Sequence, residues 1–230
     1  MNVVLCSGVM RSGSTWCYNI LRGLLGTTAD LLKIPFYCSY LEGQSLDEFL
    51  LSDEALMPGA AVFKTHILEL QAKLLIEKGV VKNVCTLRDP RDCVASRRLF
   101  ASGESLLDSI AMVRGSYATI MGLSPTATLF LDYKDVVNQP DICIKRMLDY
   151  LGLDYGSQER ELIESLVVEF GMDKMAQNAP ESGIDPLTEV HANHVHGGKI
   201  DRWKEELSEP DIKTVMEHLS KEVEWFDRNT

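Results

Sequence analysis

The sequence has a deficit of basic residues and no long apolar run. Its 230 residues include 23 Lys and Arg against 34 Asp and Glu, a formal net charge of −11. Nucleic acids and acidic membrane surfaces need a broad basic face, so neither is an expected partner. No apolar stretch reaches the roughly 20 residues of a membrane span, and the chain opens as a strand without the features of a secretory leader. These absences lead us to expect a cytoplasmic protein.

The chain also lacks the cysteine spacing of a metal or redox site. Its six cysteines include no C-x-x-C pair and lie mostly in apolar segments, which is typical of reduced thiols in a core. Three histidines, His191, His194 and His196, lie close together and raise the alternative of a zinc site. No cysteine or helical spacing fixes their geometry, however, so we expect no metal.

The composition that is present, 45% hydrophobic and 25% charged residues, is that of a soluble globular protein. A chain of this length is predicted to form one domain over residues 1–230. Short apolar runs predict four strands, and amphipathic segments lie between them. Strands that alternate with helices predict an α/β fold of three layers, a parallel sheet flanked by helices. The predicted strands are residues 2–6, 60–64, 82–87 and 127–131.

Start and stop signals give the helices their predicted bounds. The first helix begins at Ser14 and is expected to stop at Gly26, while Asp89 and Pro90 begin a helix that runs to about residue 100. Ser208 starts the last helix with an approximate capping box. Residues 31–56 are harder to interpret, with an aromatic, loop-like stretch at 35–40 and a short helix at 47–51. Further helices are predicted at residues 67–78, 105–121, 141–151, 158–170 and 209–227.

The turn after the first strand has the pattern of a phosphate-binding loop, so the fold is expected to be P-loop-like. Gly8 and Gly13 let the backbone bend so that successive N–H groups face inward. The next helix adds its unpaired amides and the positive end of its dipole. A nucleoside triphosphate loop carries Lys after its second glycine, where this chain has Ser14, and the cation inside the turn is Arg11. The pattern predicts a phosphate site without the features of an NTPase.

Distinctive side chains follow the other predicted strands. Lys64 and His66 follow the second strand, Arg88 the third and Tyr133 the fourth. Ligands of open parallel sheets bind beyond the carboxyl ends of the strands, so these residues are expected to gather beside the phosphate turn. Several arginines in residues 88–98 indicate a local anion site in a chain that is otherwise acidic.

Four blocks of the sequence resemble, in the same order, the PAPS-dependent sulfotransferases, where PAPS is 3′-phosphoadenosine 5′-phosphosulfate. Residues 11–16 (RSGSTW) are similar to the loop that binds the 5′-phosphosulfate in that family, and residues 63–66 (FKTH) to the block that supplies its base. Residues 88–96 (RDPRDCVAS) resemble its 3′-phosphate motif, with Arg88 and Ser96 eight positions apart. Residues 198–204 (GKIDRWK) are similar to its late block.

The resemblance implies transfer of a sulfuryl group from PAPS to a hydroxyl or amine of a small-molecule acceptor. It implies His66 as general base, with Lys64 and Arg11 stabilising charge on the sulfuryl and phosphate oxygens. Trp16 is expected to stack on adenine. The residues expected to bind the donor are Arg11, Ser12, Gly13, Ser14, Thr15, Trp16, Arg88, Ser96, Tyr133, Gly198 and Lys199.

The late block departs from the family pattern, because His196, Gly197 and Gly198 stand where Arg-Lys-Gly is usual. Lys199 or Arg202 is the expected replacement in the 3′-phosphate contact. Residues 176–196 are a candidate lid, and aromatic residues at 36, 37, 40 and 100 are candidates for an acceptor pocket. No dimerisation motif of the cytosolic members is recognised, so no oligomeric state is predicted.

Two other functions stay open at this point. A nucleotide-dependent small-molecule kinase also needs a phosphate loop and a base, but it should require magnesium and Lys after Gly13. A nucleotide-binding module without catalysis needs the phosphate contacts alone.

Overall fold

The computed structural model describes residues 1–40, 46–101, 103–192 and 198–230. Within these ranges, strands and α-helices alternate along the chain, with one 3-10 turn at Gly156–Gln158. The strands are β1 Asn2–Gly8, β2 Phe36–Tyr40, β3 Ala60–Lys64, β4 Lys82–Leu87 and β5 Thr128–Asp132. The helices are α1 Ser14–Leu32, α2 Leu46–Leu50, α3 Asp53–Leu56, α4 Leu70–Glu77, α5 Pro90–Phe100, α6 Leu106–Ile120, α7 Tyr133–Asn138, α8 Pro140–Leu151, α9 Glu159–Phe170, α10 Met172–Gln177, α11 Trp203–Glu206 and α12 Glu209–Asn229.

The strands form a parallel sheet in the order β2-β3-β1-β4-β5. The central strand, β1, pairs with β3 on one side, where Cys6 lies opposite Lys64, and with β4 on the other, where Ser7 lies opposite Cys85. From β1 the chain adds strands first in one direction and then in the other. The carboxyl end of β1 is therefore the switch point at which open α/β sheets bind ligands.

Alternate residues of each strand enter two separate cores. On β1, Val3 and Leu5 pack with helices α4, α5, α6 and α12, whereas Val4 and Cys6 pack with α1, α8 and α9. Apolar residues on both faces of a strand are what a sheet covered on both sides requires, since each face contributes buried apolar area. The three-layer α/β prediction is confirmed.

Helix α1 does not stop at Gly26, where the sequence predicted its end, but continues to Leu32. A glycine inside a helix costs about 1 kcal/mol relative to alanine. Leu24 and Leu25, however, are buried in the second core, and Ala29 is also buried. Packing on both sides of the glycine outweighs that cost, and the helix ends instead where Lys33 adopts a left-handed conformation, with φ 53°.

The aromatic stretch at 35–40, predicted as loop-like, contains the edge strand β2 and was interpreted wrongly. Residues Phe36–Tyr40 pair in parallel with Ala60–Lys64 of β3. An edge strand is buried less than a central one, and most of these residues are only half-buried. A continuous buried apolar run is therefore missing, although aromatic residues favour strands. The pairing places Tyr40 opposite Lys64 at the carboxyl edge of the sheet.

Other boundaries differ less. Helix α4 begins at Leu70 rather than at residue 67, because Thr65 Oγ1 accepts the N–H of Ile67 at 3.1 Å in a local turn. The predicted cap of α5 is confirmed, since an Asp89 carboxylate oxygen accepts the N–H of Arg91 at 2.8 Å. Ser208 and its third following residue form the capping box predicted for α12.

Two expectations about the chain as a whole can be compared with the structure. All six cysteines are free thiols, and five of them are buried. Across the described ranges, no helix combines the length and the apolar character needed to cross a membrane.

Candidate active site

The turn between β1 and α1 is held in one shape by its two glycines. A Cβ on Gly8 would lie 2.3 Å from Thr86 Oγ1 of β4, so only glycine fits there. Gly13 has φ 86°, and a Cβ on it would meet the Tyr133 ring at 3.1 Å. Arg11 is also left-handed, with φ 66°, which is uncommon for a residue with a side chain. The turn is therefore tight, and its backbone is not covered by side chains at Gly8 and Gly13.

Gly13 is the N-cap of α1 and contributes no side-chain cap to the first helical amides. The Cys17 N–H donates to the Gly13 carbonyl at 3.1 Å and closes the first helical turn. The N–H groups ahead of it carry the positive end of the α1 dipole. This end of α1 is suited to an anion of the size of a phosphate.

A cavity of about 520 Å³, its open mouth included, lies at the carboxyl edge of the sheet beside this turn. Nine of the donor-binding residues predicted from the sequence line it. They are Arg11, Gly13, Ser14, Thr15, Trp16, Arg88, Ser96, Tyr133 and Gly198. Met172 and Met175 of α10 and Arg202 complete the lining.

Arg88, at the end of β4, is a buried cation with several fixed contacts. Its guanidinium donates to the Arg11 carbonyl at 3.0 Å and to the Lys199 carbonyl at 2.8 Å. It also stacks on the Tyr133 ring, 4.1 Å from the ring centroid. Two of its nitrogens donate to Asp92 Oδ2 at 3.3 Å. These contacts tie together the phosphate turn, α5 and the segment before α11.

Asp92 was not singled out by the sequence analysis, yet its carboxylate organises this end of the cavity. Besides Arg88, it accepts the backbone N–H groups of Asp201 and Trp203, each at 3.0 Å. The side chain is buried, and these bonds supply the partners that a buried carboxylate requires. Its position one helical turn after Arg88, within an arginine-rich stretch, was the available signal.

Arg11 joins the phosphate turn to α5. Its Nε donates to Ser96 Oγ at 3.2 Å, and its guanidinium lies 4.7 Å from the centre of the Phe100 ring. Burial, and then the neighbouring charge of Arg88, lower the pKa of Arg11 to about 10. The group stays charged at neutral pH, so Arg11 and Arg88 present two adjacent cations whose repulsion a bound anion would relieve.

Lys64 brings the end of β3 to the first turn of α1. Its Nζ donates to Thr15 Oγ1 at 2.9 Å, and it lies 5.5 Å from the Tyr40 ring centroid. The side chain is buried, and burial lowers the pKa of Lys64 to about 8. At neutral pH the group is still mostly an ammonium, but one that can lose its proton in a mildly alkaline solution.

His66 lies two residues beyond Lys64 and is oriented by the phosphate turn. Its Nδ1 is 3.0 Å from the Gly8 carbonyl oxygen. A carbonyl can only accept, so this contact assigns the proton to Nδ1 and leaves Nε2 with its lone pair. Burial and then the charge of Lys64 lower the pKa of His66 to about 4. The imidazole is neutral near pH 7, with one nitrogen ready to accept a proton.

Two of the predicted residues direct their side chains away from the cavity, and Trp16 has a structural role as well as lining it. Ser12 Oγ donates to the Val9 carbonyl at 2.5 Å and lies 2.6 Å from Thr86 Oγ1. The Ser12 N–H also donates to the Val9 carbonyl. The ammonium of Lys199 pairs with Glu205. Trp16 is 2% exposed and packs in the second core while it also lines the cavity.

The histidine group predicted as a weak zinc alternative is only partly described. His194 and His196 lie outside the described residues, as does Gly197 of the late block. His191 packs edge-on against Phe100, with ring centroids 5.6 Å apart. Among the residues that the structure describes, no group of His, Cys, Asp and Glu could hold a metal ion.

The match to a family model decides the identity of the chain. Residues 2–227 match the sulfotransferase domain. The chain belongs to the sulfotransferase family. The resemblance to sulfotransferases inferred from the four blocks is confirmed at the level of the family. A comparison with curated protein sequences finds no match.

Several solved structures share the fold of this chain at low sequence identity. A crystal structure of mouse sulfotransferase SULT7A1 complexed with PAP superposes with a TM-score of 0.69 and 14% identity, covering 96% of this chain and 83% of that one. Retinol dehydratase in a complex with retinol and PAP gives a TM-score of 0.65 and 18% identity, over 95% and 80% of the two chains. The same enzyme with androsterone and PAP gives 0.66 and 19%, over 95% and 79%.

Proposed function

We propose that the protein transfers a sulfuryl group from PAPS to a hydroxyl or amine of a small-molecule acceptor, with His66 as the general base. The observation that carries this proposal is one cavity that joins a phosphate turn, the buried Arg88 with the neighbouring Arg11 and, through Thr15, the end of β3 with Lys64 and His66. Family membership supports the reaction class, and PAP is bound in the mouse and retinol dehydratase neighbours.

The two phosphate groups of the donor fit different parts of the cavity. The 5′-phosphosulfate suits the amides that begin α1, with the hydroxyls of Ser14 and Thr15 beside them. The 3′-phosphate suits Arg88 and Ser96, which line the same cavity. Arg202 also lines this end of the cavity, with its Nη1 3.6 Å from Glu206 Oε1, whereas Lys199 is not among the lining residues and its ammonium pairs with Glu205. We therefore assign the late-block contact to Arg202 rather than to Lys199.

Adenine suits the apolar wall of the cavity. Trp16 and Met172 both line it, and a neighbouring groove shares these two residues. An aromatic face and a polarisable thioether are good surfaces for a planar base. If Trp16 were only a structural tryptophan of the core, its removal would weaken folding and leave the preference among nucleotides unchanged.

The chemistry follows from the protonation states at the β3 end. The donor supplies a sulfuryl group on a phosphate leaving group. His66 Nε2 takes the proton of the acceptor as the acceptor's oxygen or nitrogen forms a bond to sulfur and the bond from sulfur to the 5′-phosphate oxygen breaks. The electron pair of that bond goes to the phosphate, where Lys64, Arg11 and the amides of α1 stabilise it. Each group is held by protein contacts before the reaction, so little reorganisation is needed.

The chain is proposed to act on a small molecule rather than on a polymer. The neighbouring retinol dehydratase structures contain retinol and androsterone. In this chain the net charge of −11 disfavours polyanionic acceptors, and Tyr40 and Phe100 border the reactive groups. The edge-on pair of Tyr40 and His66, with ring centroids 6.3 Å apart, gives the β3 end an aromatic side.

Transfer from radiolabelled PAPS to a panel of phenols, alcohols, amines and sugars tests the proposal. A labelled sulfated product, absent when the protein is omitted, is the expected result. A parallel calorimetric titration compares adenosine 3′,5′-bisphosphate with ATP in the presence and absence of magnesium. Tighter binding of the bisphosphate without magnesium supports the sulfotransferase. Preferred binding of ATP with a magnesium requirement supports the kinase, and bisphosphate binding with no transfer to any acceptor supports a binding module.

A further inference from the structure

The loop at residues 183–192, here called the late loop, has a defined internal structure. Asp185 Oδ1 accepts the N–H of Thr188 at 2.6 Å, and Ile184 forms an antiparallel bridge with His191. Within this turn Glu189 has φ 57°. A residue with a long side chain is rarely left-handed, and such conformations are concentrated at functional sites.

The late loop is fastened to α1 beside Lys64. Asn19 Nδ2 donates both to the Thr188 carbonyl and to the Thr15 carbonyl, each at 2.8 Å. Thr15 is the residue whose hydroxyl receives the Lys64 ammonium. Asn19 is fully buried, so these bonds are protected from water. The loop therefore brings the residue after Thr188 to the face of α1 on which Lys64 lies.

That residue is Glu189, a carboxylate only 8% exposed. Removing a carboxylate from water is costly unless a cation or hydrogen-bond donors compensate it. The negative charge of Glu189 raises the pKa of Lys64 against the larger effect of burial. The mechanism described above uses the cation but gives no role to this acid.

We propose that Glu189 is a positioning residue for Lys64: the late loop holds its carboxylate where it keeps the ammonium charged and seated on Thr15. The consequence for catalysis rests on the proposed function, since it assumes that Lys64 acts on the donor. The effect of the Glu189 charge on Lys64 is itself a property of the free protein.

Other groups face Lys64 from the elements packed around it. Cys6 of β1 and Cys17 of α1 raise its pKa, and Arg11 of the phosphate turn lowers it. Tyr40 of β2 presents its ring, and His66 follows on the same chain segment. Glu189 is the carboxylate of this set. Its effect on the Lys64 pKa comes after that of Cys6, and of the two charged residues Glu189 and Arg11 it is the one that raises this pKa.

Nuclear magnetic resonance titration of the Lys64 side chain, assigned with a Lys64→Arg spectrum, tests this electrostatic effect without any substrate. The Lys64 pKa, about 8 in the unaltered protein, is expected to fall by about one pH unit in Glu189→Gln. Glu181→Gln is the matched control, because it removes the same charge from an exposed position before the late loop. An equal Lys64 pKa in Glu189→Gln and in the unaltered protein would overturn the proposal.

Glu189→Asp distinguishes an effect of the Glu189 charge on the Lys64 pKa from an effect of loop shape. It shortens the side chain but keeps the charge, so its Lys64 pKa is expected to lie closer to that of the unaltered protein than to that of Glu189→Gln. If both variants lower the pKa equally, the shape of the loop rather than the charge is responsible, and the proposal fails.

The pH profile of transfer separates positioning from a general loss of structure. In Glu189→Gln the loss of kcat/KM is expected to grow above about pH 7, because a larger fraction of Lys64 is deprotonated there. A loss of equal size at every pH would contradict the assigned role. Absence of transfer in the unaltered protein would remove the proposed function and leave the side-chain titration as an independent result.

Discussion

The two ends of the cavity carry positive charge in different ways. At the α5 end the cations are arginines with fixed partners, and Arg88 is held by Asp92 and by two backbone carbonyls. At the β3 end the groups are a lysine and a histidine whose pKa values burial lowers to about 8 and about 4. An anion that is only held needs cations that never titrate. A transfer step needs groups whose protonation state the surroundings set.

The largest predicted effect on the reaction is that of removing the proposed base. His66→Ala is expected to lower kcat by about 10²–10⁴-fold, the usual contribution of a positioned general base. Binding of adenosine 3′,5′-bisphosphate should change by less than about threefold, because the phosphate contacts are made elsewhere. Rapid-quench kinetics and calorimetry on the same preparation give the two numbers. Unaltered turnover would exclude His66 from the mechanism, and the β3 end would then not be the place of the transfer step.

At the other end, Asp92→Asn should affect binding more than turnover. The amide keeps the shape of the side chain but weakens the bonds from Arg88, and hydrogen bonds to charged groups contribute about 1.5–3 kcal/mol. The bisphosphate affinity is expected to fall by about 10–100-fold in calorimetry, with a much smaller change in kcat at saturating donor.

Asp141→Asn is the control for that variant, because it makes the same change at an exposed position of α8. It should leave the bisphosphate affinity unaltered. If Asp92→Asn lowered kcat and left the affinity unchanged, it would be wrong to separate an α5 end that holds the anion from a β3 end that carries the transfer step.

The positions of these residues in the fold explain which of them could be predicted from the sequence alone. Residues at strand ends, such as Lys64 and Arg88, were predictable because a parallel sheet brings all its carboxyl ends to one edge. Asp92 was not, since its partners include backbone N–H groups of residues 201 and 203, more than 100 positions away. Glu189 was missed for the same reason.

The fold shows a similar limit. The central strands were predicted from continuous apolar runs, because both faces of each strand are buried. β2 was missed, because an edge strand has less burial and its aromatic residues suit a loop as well. The end of α1 was misplaced because a local signal, Gly26, yielded to the burial of Leu24 and Leu25.

A smaller predicted effect is the dependence of kcat/KM on pH, which Lys64 and His66 at the β3 end should set. Lys64 has a pKa of about 8, so kcat/KM is expected to be level near neutral pH and to decrease about tenfold per pH unit well above 8. His66, with a pKa of about 4, should produce no acid limb until the pH falls toward that value. Lys64→Arg keeps a cation that does not titrate in this range and should move the alkaline limb upward. An unmoved limb in that variant would assign the titration to another group.

The smallest effect is on stability. The pKa of His66 is lower in the folded state than its ordinary value of 6.5, so the unfolded state binds more protons between pH 6.5 and 4. The free energy of unfolding should therefore decrease as the pH falls through this window, and His66→Gln should remove about 2 kcal/mol of that decrease. Urea unfolding at pH 7 and pH 4.5 measures it. Equal pH dependence in both proteins would show that the imidazole is not dehydrated.

The position of the desulfated donor tests the central claim most directly. A crystal structure with adenosine 3′,5′-bisphosphate should place the 5′-phosphate on the first amides of α1 and the 3′-phosphate between Arg88 and Ser96, with His66 Nε2 facing the vacant sulfuryl position. A ligand bound elsewhere, or an imidazole that faces away from that position, would contradict the account.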